Sequence, residues 1–144
     1  MIKIRFVSKA LCLVVFSLFV QMGLYAQNEK PFVVPELKEW KGSEGAFIPS
    51  ADMRVVYAQE ALRSVAEAFA ADYGQMFGLT LEVIQGKPSA GDIYFTLKKD
   101  KKLGREGYAI RTDRYVTVSA PEAVGAYWAT RTLLQMSEQT ENHQ

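Results

Sequence analysis

The spacing of apolar residues between positions 60 and 77 restricts this chain more than any other feature. Leu62, Val65, Ala66, Phe69, Tyr73, Met76 and Phe77 recur at steps of three, four and seven, which predicts a helix with one buried face. Glu60, Arg63, Ser64, Glu67 and Asp72 fall mostly on the other side, and Gly78 stands where a left-handed residue ends a helix at little cost. A helix that is apolar on one side needs a second layer to cover that side. The rest of the chain supplies strands.

Met53 to Ala58 is a short strand candidate, rich in β-branched and aromatic residues. After the helix, Leu79, Leu81 and Val83 share one face of a second strand, and Ile93, Phe95 and Leu97 one face of a third, with the turn cluster Gln85 to Gly91 between them. Tyr108, Ile110 and Thr112 alternate on a fourth and Val116, Val118 and Ala120 on a fifth. Facing their inner sides requires Ile110 opposite Val118, because a slip of one residue would turn every side chain over. Asp113-Arg114-Tyr115 is then a three-residue connection, or a two-residue turn with a bulge, without the glycine such turns favour.

Pro121 suits the first position of a second helix, with Glu122 in the first turn, where a negative charge meets the helix dipole favourably. Ala123, Ala126, Tyr127, Thr130, Leu133 and Leu134 form its core face, with Ala129 and Met136 at the margin. Gly125 inside this helix costs about 1 kcal/mol relative to alanine, so its presence predicts a close backbone approach lined by Ala126 and Ala129. Ser137 to Gln144 reads as a polar tail. The order strand, helix, two strands, hairpin, helix predicts an α+β fold, a mostly antiparallel sheet with two helices packed on one face.

The first residues lie outside that fold. Lys3, Arg5 and Lys9 precede an apolar run from Ala10 to Val20, and Leu24-Tyr25-Ala26 ends it, the pattern of a secretory signal peptide over residues 1–26. The run is short of the roughly 20 residues that span a bilayer. Cleavage before Gln27 would leave a soluble exported chain of 118 residues, periplasmic, cell-surface or secreted, enough for one domain over 27–136 plus the tail. The sole cysteine, Cys12, would go with the signal, so no disulfide would hold the domain together. What remains has 14 basic and 16 acidic residues, which speaks against a nucleic-acid partner. From Gln27 to Pro49 the prolines and glycines predict an extended lead-in pinned by Phe32, Val33, Val34, Trp40, Phe47 and Ile48.

Taken in order, Glu106-Gly107-Tyr108-Ala109-Ile110, Val116 to Ala120, Gly125-Ala126-Tyr127 and Thr132-Leu133-Leu134-Gln135 resemble the end of the N-terminal domain of family 20 β-N-acetylhexosaminidases. "FVVPELKEW" and "GAFIP" resemble that family's opening segment, so the likeness covers about residues 31–136. Ala129 stands where the family often has glycine. The resemblance implies a small non-catalytic α+β domain that precedes a (β/α)8 barrel, the partner in cis or as a separate chain, in glycan degradation. It also implies that catalysis is substrate-assisted and rests on an adjacent Asp-Glu pair of the barrel. No two acidic residues are neighbours here, and a barrel takes some 250 residues. The chain alone is therefore expected to be an inactive glycosidase domain, with a stand-alone exported glycan-binding or interaction module as the alternative. Similar leading domains occur in α-glucuronidases and some O-linked N-acetylglucosamine hydrolases.

Read residue by residue, the sequence offers little chemistry. Glu106 could act as a general acid only with a second carboxylate about 5–9.5 Å away, for which Asp92 and Asp113 are the candidates. A strand end facing solvent or a neighbouring loop explains Glu106 and needs nothing more, so Glu106 is read as scaffold rather than as a catalytic acid. His143 is the lone histidine and HExxH is absent, so no metal site is expected, and neither GxGxxG, a P-loop nor GxSxG points to a cofactor or a nucleophile. Four lysines in the stretch 98–104 read as a solvated connector rather than an anion site. Trp40, Tyr57, Tyr94, Tyr115 and Trp128 are the aromatics that could stack on a sugar. The sequence thus predicts no catalytic, cofactor or metal residue.

Overall fold

The computed structural model describes residues 28–141, so the proposed signal peptide, Cys12 and His143 lie outside the described residues. Two compact units are distinguished. Of the smaller one the described residues are 28, 29 and 42–44, where the Asn28 amide donates to the Ser43 carbonyl at 3.1 Å. The larger one, residues 30–41 and 45 onward, contains every helix and strand described below.

Its elements are β1 (Arg54–Tyr57), a 3-10 turn (Glu60–Leu62), α1 (Arg63–Phe77), β2 (Glu82–Gln85), β3 (Ile93–Leu97), β4 (Ala109–Thr112), β5 (Val116–Ala120) and α2 (Ala123–Glu141). Gly78 ends α1 at φ 72°, its amide donating back to the Gly74 carbonyl at 2.9 Å, which is the stop expected of a glycine there. At the other end of the domain α2 continues to Glu141, so residues 137–141 are helical rather than part of a tail.

The five strands form one sheet in the order β2-β1-β3-β5-β4. The α+β class holds, but the sheet is mixed rather than mostly antiparallel. β1 runs parallel to β2 and to β3, β3 runs parallel to β5, and the β4–β5 hairpin alone is antiparallel. The cause lies in the connections. α1 carries the chain back across the sheet, as a parallel pair requires. The segment after β2 returns to the level of Asp92 instead of turning tightly, so that Ile93 pairs with Val55. Within the hairpin the register is the expected one, with Ile110 opposite Val118.

Both helices cover the same face. Val55 and Tyr57 of β1, Ile93 and Phe95 of β3, and Val116, Val118 and Ala120 of β5 are buried there with Val65, Ala66, Phe69 and Tyr73 of α1 and Ala126, Ala129, Leu133 and Leu134 of α2. Aromatic rings lock the centre, with Phe69 5.6 Å from Tyr73 and 5.7 Å edge-on from Phe95. Two residues assigned to helix core faces lie outside. Met76 is 47% exposed and Tyr127 40%, as α1 lies over β1 and β2 and α2 over β3 and β5 with other positions facing the sheet.

Candidate functional site

The acids proposed for chemistry are held apart by the sheet. Glu106 is exposed and precedes β4, whose first residue, Ala109, pairs with Ser119 near the Ala120 end of β5. Asp113 lies in the turn at the Val116 end, since Thr112 pairs with Val116, and the Asp92 carbonyl accepts from the Val116 amide at 3.0 Å. The length of a five-residue strand, roughly 13 Å at about 3.3 Å per residue, thus separates Glu106 from both possible partners. That exceeds the spacing of either glycosidase geometry.

Asp92 has a different occupation. It is 2% exposed, and its carboxylate receives Arg54 Nε at 3.1 Å, Arg54 Nη2 at 2.6 Å and the Ser89 amide at 2.6 Å. Burial on its own would raise this carboxyl, but the Arg54 and Ser89 hydrogen bonds and the Arg54 charge outweigh it and hold the group below the usual range. The same contact pushes Arg54 upward. An acid engaged in this way holds the start of β3 to the start of β1.

The aromatic candidates also separate. Tyr57 is core, 4% exposed, with the Arg63 guanidinium 5.7 Å from its ring centre. Tyr94 and Tyr115 meet at 6.3 Å with planes 89° apart, an edge contact that offers no shared flat surface for a sugar ring. Trp40 and Trp128 are 39% and 45% exposed. The lysine-rich connector is solvated, with the Asp100 carboxylate accepting from the Lys102 amide at 2.9 Å. Among the described residues no group of histidine, cysteine, aspartate and glutamate side chains could hold a metal ion.

What the structure does bring together is the motif that follows Glu106. A Cβ on Gly125 would stand 2.3 Å from the Gly107 carbonyl oxygen and 3.1 Å from the Ala120 Cβ, so α2 touches the loop before β4 backbone to backbone. The close approach inferred from Gly125 is therefore present, and Ala126 and Ala129 are fully buried. One residue on, Tyr108 Oη and Thr132 Oγ1 share a hydrogen bond of 2.6 Å, and Arg105 donates to Glu122 at 3.1 Å. Leu133 and Leu134 fill the core. Gln135 reaches to the lead-in, where it exchanges two hydrogen bonds with the Val34 backbone. Gly125, Thr132, Leu133, Leu134 and Gln135 thus fasten α2 to the rest of the domain.

Sequence reasoning missed one cluster, on the outward side of the helices. Arg131 Nη2 of α2 donates to Asp72 Oδ2 of α1, and its guanidinium lies 5.1 Å from the centre of the Tyr127 ring. Tyr127 in turn meets Trp128 at 5.4 Å. A signal existed in the sequence: Tyr127 and Trp128 are adjacent on a helix, so one of them had to lean away from the core.

The family model for glycosyl hydrolase family 20, domain 2, matches residues 30–144, and no curated protein matches the chain. The seam that ties α2 to the Gly107 loop and to the lead-in, on a five-stranded sheet covered by two helices, is the frame on which that match lies. The chain belongs to glycosyl hydrolase family 20, and what it contains is domain 2, the non-catalytic N-terminal domain of the family's hexosaminidases.

Proposed function

We propose that this domain acts as the packing partner of a family 20 catalytic barrel, in an exported β-N-acetylhexosaminidase system, and performs no hydrolysis itself. The observation that carries the reading is the exposed apolar surface on the outward side of the helices. Tyr127 and Trp128 on α2 are each at least 40% exposed and lie ring to ring at 5.4 Å, and the Asp72–Arg131 pair joins the two helices beside them. Large apolar side chains grouped in this way on a small domain mark a surface that another protein covers. A domain of this kind normally accompanies a barrel in the family, which supplies the partner.

The reading has two tests. The chain from residue 27, assayed with a chromogenic N-acetylglucosaminide, is expected to give no rate above buffer. In sedimentation the same chain is expected to self-associate at high concentration, and Tyr127→Ser with Trp128→Ser to restore a monomer. A wild-type chain that stays monomeric in the millimolar range would remove the argument from the surface, and turnover would overturn the whole reading. The rival, a glycan-binding module, requires a measurable heat of binding for chitobiose at millimolar concentration, where a flat titration is expected.

A further inference from the structure

The lead-in is fastened in a way that differs from the rest of the fold. Gln139 accepts from the Phe32 amide at 3.2 Å and donates to the Phe32 carbonyl, while Gln135 accepts from the Val34 amide at 2.9 Å and donates to the Val34 carbonyl at 3.0 Å. Two side-chain amides one helical turn apart thus match two backbone residues two apart, the repeat of an extended chain. Both glutamines also donate back to their own helix, Gln135 to the Arg131 carbonyl at 3.3 Å and Gln139 to the Gln135 carbonyl at 3.0 Å, which fixes the direction of each amide.

The side chains alternate accordingly. Val33 is 2% exposed, whereas Phe32 is 79% and Val34 66% exposed. The attachment therefore consists of one buried valine between two backbone-reading amides, and the four bonds to the strand-like segment lie in solvent-accessible surroundings. Lys30 and Glu36 close the segment on itself with an ion pair of 2.6 Å.

We propose that residues 30–36 form a strap, latched to α2 by Gln135 and Gln139, that opens and recloses as a unit while the sheet and helices stay folded. Its hydrogen bonds compete directly with water, and among the described residues it is paired with no strand. The segment thus belongs to the least stable end of the domain, where opening is local. Because the glutamines read backbone alone, the latch tolerates any residue that keeps its N–H, hence any but proline, at 32 and 34 and depends on the apolar side chain at 33.

Native-state hydrogen exchange on the chain from residue 27 tests this. The Phe32 and Val34 amides are expected to exchange with almost no dependence on added urea, while the Val118 amide, in the sheet centre, exchanges through global unfolding and depends on it steeply. In Gln135→Ala with Gln139→Ala, protection at residues 32 and 34 is expected to fall by at least about tenfold with the Val118 amide unaffected. Phe32→Ser with Val34→Ser should leave protection in place, and Val33→Ser should remove it. The proposal is overturned if the strap amides of the wild type share the urea dependence of Val118, a measurement that needs no variant to fold. It is equally overturned if both alanines leave strap protection intact.

Discussion

Replacing Gly125 by alanine tests the seam on which the domain rests. In an exposed helix the change would be favourable, because alanine gains about 1 kcal/mol over glycine in helix propensity. At this position the new methyl carbon would sit 2.3 Å from the Gly107 carbonyl oxygen, while real contacts of this kind essentially never fall below 3.0 Å. The helix and the loop must therefore separate by about 0.7 Å or more in an interior packed to crystal density. The obstructing atom is backbone, so no side chain can rotate away, and the Ala120 Cβ at 3.1 Å closes a second direction. Overpacking of this sort costs about 1–3 kcal/mol, and rigid backbone on both sides places it at the upper end. With the propensity gain subtracted, the expected loss is about 2 kcal/mol, equivalent to a thermal midpoint lower by roughly 10 °C for a domain of this size. Urea and thermal unfolding of the chain from residue 27 measure it. Gly86→Ala is the control, since a methyl there meets nothing within 4 Å and is expected to change stability by no more than about 0.5 kcal/mol. A Gly125→Ala domain as stable as the wild type would refute the backbone contact as the reason for glycine.

Two further outcomes follow from buried polar pairs. Asp92 has its folded pKa depressed, so its stabilising contribution is complete above its unfolded value near about 3.9 and disappears as the pH falls through the lower folded value. Asp92→Asn should therefore be the less stable protein at neutral pH by about 2 kcal/mol, with the gap to wild type closing in acid. A gap that is constant from pH 7 to pH 2 would contradict the charge-based account. Tyr108→Phe leaves Thr132, 2% exposed, without the tyrosine hydroxyl and should cost about 1–2 kcal/mol in urea unfolding, with Tyr108→Phe and Thr132→Val together costing less than the sum of the two alone.

The sequence by itself determined the elements and most of the inner face. Period 3.6 over residues 62–77 and period 2 in the strand candidates depend on side chains alone, so α1, the one-sided strands and the Ile110–Val118 register could be read directly. Gly125 announced a backbone contact because glycine in a helix interior is unfavourable without a reason. Strand direction could not be read in the same way, because alternation looks the same in parallel and antiparallel pairs; the path of the chain through α1 and through the segment after β2 decided it. Tertiary structure alone also decided that Asp92 belongs to Arg54, 38 residues away, and that Gln135 and Gln139 hold residues more than 100 positions earlier. Such partners meet only once the sheet has folded, and nothing in the local spacing of charges or amides encodes which distant group will arrive.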